Sequence, residues 1–163
     1  MKDRSIDMMN FHFRIMSMDD VEEVLVIEEC SQSNPWTQKN FIDCIHAKYW
    51  NYVFLEEHHL SPILGFCIVM PGVEELHLLN ISITPALRRK KIAWRALEAI
   101  EKTGLEHGYS KILLEVRRSN EHAIALYEKL GYLVIGARKD YYPMKESALT
   151  RREDALVMEK VLK

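Results

Sequence analysis

The segment between residues 76 and 131 alternates strand-like and helix-like patterns, and this alternation constrains the fold most strongly. Apolar runs at residues 76–83 and 111–116 predict two strands, and a stripe of apolar residues at helical spacing predicts a helix between them. A second helical stripe follows the capping residue Asn120 and ends before Gly131. Strands joined through helices in this way form a mixed α/β sheet on which the helices pack.

The amino-terminal part of the chain predicts one strand and two helices. Residues 11–15 alternate apolar and polar side chains, which predicts a strand with Ile15 on its buried face. Ser17 and Thr37 each precede a helical pattern, and we expect them to cap the two helices.

The other strand-like runs complete the order β-α-α-β-β-β-α-β-α-β-β. A turn is expected at residues 59–62, and we expect Tyr141, Tyr142 and Pro143 to interrupt a strand that begins at Tyr132. The remaining strand-like runs are residues 52–56, 63–70, 132–137 and 155–161.

The composition fits one compact domain, which we expect to span residues 11–163 after a loose segment at residues 1–10. Of the 163 residues, 48% are hydrophobic and 28% are charged, which is sufficient for a core of its own. The net charge of -2 argues against a general electrostatic attraction to nucleic acid. We expect a monomer that does not bind nucleic acid directly.

The three cysteines indicate a reducing compartment, and we expect the protein to be cytoplasmic. Their odd number argues against a disulfide framework, and the missing CxxC spacing argues against a zinc site. No run approaches the roughly 20 apolar residues of a membrane span, and the amino end has no apolar core of signal-peptide length. We therefore expect no membrane association and no metal.

Four consecutive cations, Arg88 to Lys91, precede the first helix of the alternating segment. The positive end of a helix dipole disfavours cations by about 0.3–1 kcal/mol each. A run of this kind can be a solvated surface. After a strand and at a helix start, however, free backbone N–H groups converge, and together with the cations they would attract an anion. The alternative prediction is a cradle for a phosphorylated cofactor.

Glu115 is the one ionisable group within the apolar part of its strand. Ile112, Leu114 and Val116 share one face, and Glu115 lies on the other. A carboxylate in such surroundings is costly unless it is paired or functional. The sequence leaves two alternatives open, an ion pair with Arg117 or another cation, and a catalytic carboxylate.

Three stretches resemble the GNAT acyltransferases, and within them the bacterial ribosomal-protein-alanine N-acetyltransferases. They are "LLNISITPALRRKKIA", "LLEVRRSNEHAIALYEKLGY" and "KDYYP". The resemblance covers the chain from about Phe11 to its carboxyl end. It implies the GNAT acyl-CoA N-acyltransferase fold, with acetyl-CoA as cosubstrate and no metal.

The resemblance also implies which residues bind acetyl-CoA. The family's Q/R-x-x-G-x-G/A loop holds the pyrophosphate, and Lys91 stands here where the family has its first glycine. Compared with the family's loop, we expect the backbone amides to bind the pyrophosphate more weakly and the side chains to attract it more strongly. We also expect Lys91 to adopt helical backbone angles. Asn120 matches a cofactor-contacting asparagine, in addition to its expected role as a cap. The implied binding residues are Ile81, Ser82 and Ile83, through their backbone, then Arg88, Arg89, Lys90, Lys91, Ile92 and Ala93, and finally Asn120 and Tyr127.

The resemblance implies two catalytic residues, Glu115 as general base and Tyr127 as general acid. A glutamate acting directly or through one water suits an α-amine, whose pKa is about 7.7–8.0. A phenol beside the sulfur would assist departure of the thiolate. From periodicity alone, Tyr127 could equally be a core tyrosine on the inward face of its helix.

The acceptor implied by the resemblance is a protein amino terminus, typically the N-terminal alanine of ribosomal protein bS18. The matching substrate-binding residues are Tyr141, Tyr142, Glu153 and Asp154. A basic acceptor tail would suit the two acids. Two alternatives stay open. The acceptor could be another protein or a small amine, or the chain could be a non-catalytic acyl-CoA-binding module.

Overall fold

The computed structural model describes residues 11–56, 62–144 and 151–163, and in these residues the predicted order of elements is confirmed. Residues 1–10 and most of the turn predicted at residues 59–62 lie outside the described residues. The elements are β1 (Phe11–Ile15), α1 (Val21–Ser31), α2 (Gln38–His46), β2 (Trp50–Glu56), β3 (Ile63–Pro71), β4 (Glu75–Ile83), α3 (Ile92–Glu106), β5 (Lys111–Arg117), α4 (Glu121–Lys129), β6 (Leu133–Pro143) and β7 (Arg152–Val161), with short 3-10 helices at Met18–Asp20 and Pro85–Leu87.

The strands form a mixed seven-stranded sheet in the order β1-β2-β3-β4-β5-β7-β6. β4 pairs with β5 in parallel, whereas β7 pairs antiparallel with both β5 and β6. The described residues divide into two compact units. The first contains residues 11–56, 62–68 and 80–93, and the second contains residues 69–79, 94–144 and 151–163.

The first unit has its own core of buried apolar side chains under helices α1 and α2. Phe41 and Phe66 are both fully buried and their rings meet edge to face at 5.3 Å. Thr37 begins α2 through the predicted cap: its side chain and that of Asn40 form a reciprocal capping box. The predicted cap Thr37 is thus confirmed, whereas Ser17 makes the corresponding box with Asp20 at the start of the 3-10 helix Met18–Asp20, and Asp20 is the N-cap of α1 itself.

Strand β1 differs from its prediction at Ile15. The side chain of Ile15 is 74% exposed, so its predicted burial is wrong. β1 is the last strand at one edge of the sheet, and the chain leaves the strand directly after Ile15. Met16 occupies the buried position instead, with 3% exposure, and its N–H donates to Asn51 O at 2.8 Å.

The second unit buries one face of β5 and the inward stripe of α4. Residues of β5 alternate between buried and half-buried, as predicted, with Ile112, Leu114 and Val116 on the buried face. At Gly104 of α3, an added Cβ atom would lie 2.8 Å from Leu76 Cδ1. Helix α3 therefore packs closely against β4 here, and a larger residue at position 104 would require the Leu76 side chain to move.

Strand β6 is longer than predicted. It continues to Pro143 instead of being interrupted at Tyr141, because β7 supplies partners as far as Arg152. The register shifts between Arg138 and Tyr142, and Asp140 adopts a left-handed φ of 49° within this bulge. The bulge absorbs the extra residues of β6 and lets the pairing resume.

No helix within residues 11–56, 62–144 and 151–163 combines the length and the apolar character needed to cross a membrane. In the same described ranges, no group of three or more His, Cys, Asp or Glu side chains is arranged to hold a metal ion.

Candidate active site

The carboxyl end of β4, in the first unit, lies tightly against β3. A Cβ atom added at Gly65 would be only 2.5 Å from Ser82 O, and Thr84 N–H donates to Leu64 O at 2.9 Å. The parallel pairing of β4 with β5 ends earlier, at Leu78 and Leu114. The next residues of β4 include Ile81 to Ile83, whose backbone the resemblance assigns to the pantetheine arm.

The loop after β4 has a backbone suited to an anion. Arg89 and Lys91 have φ values of 63° and 58°, while Lys90 between them does not lie in this region. Alternation of this kind turns successive N–H groups toward one side, as in anion-binding nests. Helix α3 begins at Ile92, so the positive end of its dipole adds to the same attraction. The expectation that Lys91 takes helical angles is wrong, because the turn requires a left-handed residue whatever its side chain.

The four cations of this loop are all exposed. None of them forms an ion pair with a carboxylate in the described part of the chain. Their mutual repulsion is therefore not offset by neighbouring acids among those residues. A diphosphate would supply the missing negative charge, so the loop fits the phosphate part of acetyl-CoA.

We expect Lys91→Gly to raise the free energy of unfolding by about 0.5–1 kcal/mol. A left-handed conformation costs a lysine about 1–2 kcal/mol, and the larger unfolded-state entropy of glycine offsets part of the gain. Lys90→Gly is the matched control, and it should destabilise the protein because Lys90 carries no such strain. Urea denaturation of both variants measures the difference. A destabilised Lys91→Gly variant would contradict the strain at Lys91.

Ser82 of β4 contacts a buried carboxyl group that sequence reasoning did not identify. Glu28 of α1 is 1% exposed, and it accepts from Trp36 N at 2.9 Å and from Ser82 Oγ at 3.4 Å. Burial raises the pKa of Glu28, although the donors Trp36, Asn80 and Ser82 oppose the rise. The spacing of Glu28 from Val24 and Val21, four and seven residues, placed it on the apolar face of α1 and was the available signal.

We expect Glu28→Ala to lower the free energy of unfolding by about 1–3 kcal/mol, because it leaves the Trp36 N–H without its acceptor. Glu28→Gln retains an acceptor and should be far less damaging. The raised pKa means that the folded state binds the Glu28 proton more tightly than the unfolded state does, so this contribution to stability is present at low pH. It is lost as the pH rises through the folded pKa.

Glu28→Gln should therefore gain stability relative to the parent protein from acidic to neutral pH. Urea denaturation across this pH range measures the gain. A Gln variant that loses stability as much as the Ala variant would contradict the importance of the Trp36 hydrogen bond.

In the second unit, Glu115 projects from β5 on the face opposite Ile112 and Leu114. Its side chain is 25% exposed, and its Oε1 lies 2.6 Å from Arg138 Nε on β6. The alternative of an ion pair is thus observed, with Arg138 as the partner. Arg117 is engaged elsewhere, because its Nη1 lies 2.9 Å from Glu153 Oε1.

Tyr127 lies on the inward face of α4. This helix begins at the predicted cap Asn120, whose Oδ1 accepts from Ala123 N at 3.2 Å. The ring is 6% exposed and packs against Tyr132 with 5.7 Å between centroids. Burial raises the pKa of the Tyr127 hydroxyl well above its usual value, and the neighbouring Tyr142 adds to the rise. The phenol is therefore neutral near neutral pH and keeps its O–H as a hydrogen-bond donor.

Tyr141 is the last residue of the bulge in β6 and Tyr142 is the first residue after it, and their rings meet edge to face at 5.0 Å. Tyr141 is 40% exposed. The Tyr142 hydroxyl is 3.5 Å from Glu115 O, and burial, together with the charge of Glu115, raises the pKa of Tyr142 to about 12. The two predicted tyrosines thus lie beside Glu115, within the second unit.

Glu153 and Asp154 have partners within the second unit. Besides Arg117, Glu153 accepts from Ser119 N at 3.1 Å, and these donors outweigh burial and lower the pKa of Glu153. Asp154 lies 3.4 Å from Arg118 Nη2 and accepts from Asp140 N at 3.1 Å. An acceptor tail that contacts these acids therefore has to share them with internal donors.

The family model of the acetyltransferase (GNAT) family matches residues 18–132, most of the length of the chain. The chain belongs to the acetyltransferase (GNAT) family. As a GNAT acetyltransferase it is an enzyme that takes its acetyl group from acetyl-CoA. The cationic loop and the end of β4 fall within the matched range, as do Glu115 and Tyr127.

Individual relatives match this GNAT chain over most of their length. It is 32% identical to a [ribosomal protein bS18]-alanine N-acetyltransferase of Haemophilus ducreyi, over 85% of this chain and 92% of that protein. It is 30% identical to an N-alpha-acetyltransferase of Saccharolobus solfataricus, over 90% and 93%. The crystal structure of the ribosomal-protein-S18-alanine N-acetyltransferase of Escherichia coli superimposes with a TM-score of 0.84, at 28% identity, covering 94% of this chain and 95% of that one.

Proposed function

We propose that the protein acetylates the α-amino group of the N-terminal alanine of ribosomal protein bS18 in the cytoplasm. The observation that carries this proposal is the match over most of its length to enzymes named for that reaction. Within the second unit, a partly exposed carboxylate and a buried neutral phenol are the two groups that the reaction needs. Acetyl-CoA supplies the thioester when it is bound.

Cosubstrate binding is assigned to the residues that the resemblance implies. Backbone groups of Ile81 to Ile83 pair with the pantetheine arm. The amides and side chains of residues 88–93 bind the diphosphate, and Asn120 contacts the cofactor while its Oδ1 caps α4. The buried Ser82 side chain is directed to Glu28, so Ser82 contributes through its backbone.

Proton transfer is assigned to Glu115 and Tyr127. An α-ammonium group has a pKa of about 7.7–8.0, against about 10.4 for lysine, so only mild base catalysis is needed near neutral pH. The Glu115 carboxylate accepts this proton, directly or through one water, and the amine nitrogen then bonds to the acetyl carbon. The Tyr127 hydroxyl donates its proton to the sulfur as the carbon–sulfur bond breaks. The second proton that the nitrogen gives up on forming the amide restores the Tyr127 hydroxyl.

The acceptor is recognised beside Glu115 by the exposed Tyr141 and by Tyr142. These aromatic side chains provide a rigid wall for the first residues of a peptide. Glu153 and Asp154 add negative charge for a basic tail.

Thiol release from acetyl-CoA with different acceptors tests the proposed reaction. The acceptors are a peptide with the alanine-initiated sequence of bS18, the same peptide with a blocked amino terminus and its lysines free, and a polyamine. We expect turnover with the first and background rates with the other two. A rate on the polyamine equal to that on the alanine peptide would refute the assigned acceptor. If no thiol is released with any of the three acceptors, the protein is better explained as a non-catalytic acyl-CoA-binding module.

A further inference from the structure

Arg138 stands out because it is the cation that pairs with the proposed base. Its side chain is 58% exposed, whereas that of Glu115 is 25% exposed. Glu115 and Gly136 both pair with Val157 of β7, so the three residues form one row across the sheet. Arg138 follows Gly136 by two residues on β6, and its side chain extends across β7 to the carboxylate.

The Tyr141 ring beside Glu115 gives the Arg138 guanidinium a second contact. Tyr141 of β6 lies near Glu115, and the Arg138 guanidinium carbon is 5.4 Å from the centre of the Tyr141 ring. The Tyr142 hydroxyl donates to the backbone carbonyl of Glu115 at 3.5 Å, and Arg117 and Glu153 nearby are paired with each other. A guanidinium that leaves the carboxylate keeps its cation–π contact with Tyr141.

The pair is also weak enough to exchange. Ion pairs with an exposed partner change an equilibrium by about fivefold or less. Arg138 Nε lies 2.6 Å from Glu115 Oε1, and the adjacent positive charge makes the carboxylate a weaker proton acceptor. An acceptor ammonium that approaches Oε1 has to displace the guanidinium, and this displacement restores the basicity of Glu115.

We infer that Arg138 occupies the place of the acceptor ammonium beside Glu115 and prevents that carboxylate from activating water while no acceptor is bound. The inference rests on the proposed role of Glu115 as base. The suppressed side reaction is hydrolysis. In it, water gives a proton to Glu115, its oxygen bonds to the acetyl carbon, the carbon–sulfur bond breaks and the departing thiolate takes a proton from Tyr127. Acetic acid and free coenzyme A are released, and the proton on Glu115 returns to the Tyr127 phenolate.

Arg138→Ala tests the inference through two measurements, acceptor-independent hydrolysis and the KM for the alanine peptide. Loss of packing alone would neither increase the hydrolysis nor lower the KM. We expect acceptor-independent thiol release from acetyl-CoA to increase about two- to fivefold, and the KM for the alanine peptide to fall by up to about fivefold. The KM for acetyl-CoA should not change. Arg138→Lys keeps the charge and should stay near the parent protein on both readouts.

Lys139→Ala is the matched control, because it removes the neighbouring cation of β6 and should leave both readouts unchanged. Arg138→Gln replaces Arg138→Ala if the latter does not fold. A raised peptide KM, or unchanged hydrolysis, in Arg138→Ala or Arg138→Gln would overturn the inference. In the Glu115→Gln, Arg138→Ala double variant, hydrolysis should return to background. If it stays high, Glu115 is not the base, and this failure of the proposed function is separate from that of Arg138.

Discussion

Tyr127→Phe should lower kcat on the alanine peptide by about 10²- to 10³-fold, in the range typical of a lost general acid. The ring stays in its buried place on α4, so acetyl-CoA binding should be nearly unchanged. Because burial raises the pKa of the hydroxyl, Tyr127 keeps its proton through neutral and mildly alkaline pH. Tyr127 itself should therefore cause no alkaline loss of kcat in that range. Steady-state kinetics with both substrates varied separates kcat from the two KM values.

Tyr132→Phe is the control, because it removes a tyrosine hydroxyl from the ring that packs against Tyr127. Tyr132 is 1% exposed and its ring packs on that of Tyr127, but nothing assigns it a part in proton transfer. We expect its kcat to stay within about twofold of the parent protein, as for a change outside the reaction. Equal losses in the two variants would mean that the hydroxyl of Tyr127 acts through packing alone.

Glu115→Gln should lower kcat/KM for the alanine peptide by about 10²-fold or more at neutral pH, because the amide cannot accept the ammonium proton. The deficit should narrow as the pH rises above the pKa of an α-amine, about 7.7–8.0, since the free amine then needs no base to form. A pH profile of kcat/KM for both proteins measures this. Glu98→Gln, an exposed acid of α3, is the control and should follow the parent profile. A Glu115→Gln variant with full turnover would exclude Glu115 as base.

The order of elements was predictable because it depends on local patterns. Thr37 and Asn40 form their capping box within one helical turn, and Asn120 caps α4 through the amide three residues on. The alternation around Glu115 needs only the two-residue period of a strand. Each of these features involves residues that are close in the sequence, so tertiary contacts did not need to be known.

The differences from prediction depend on contacts that are distant in the sequence. The exposure of Ile15 follows from the position of β1 at the sheet edge, and the extension of β6 follows from its pairing with β7. Arg138 reaches Glu115 across a third strand, and Glu28 reaches Ser82 from another element. The left-handed angle at Lys91 is set by the turn and overrides the preference of the side chain. No local pattern encodes these arrangements.

The proposed reaction rests on one product, bS18 that carries an acetyl group on its first residue. Incubation of bS18 with the protein and acetyl-CoA, followed by tandem mass spectrometry, determines both the number and the position of the acetyl groups. We expect one acetyl group, on the α-nitrogen of the N-terminal alanine, and none with the Glu115→Gln variant in the same time. Acetyl groups confined to lysine side chains, or bS18 recovered unmodified while acetyl-CoA remains in excess, would contradict the proposed function.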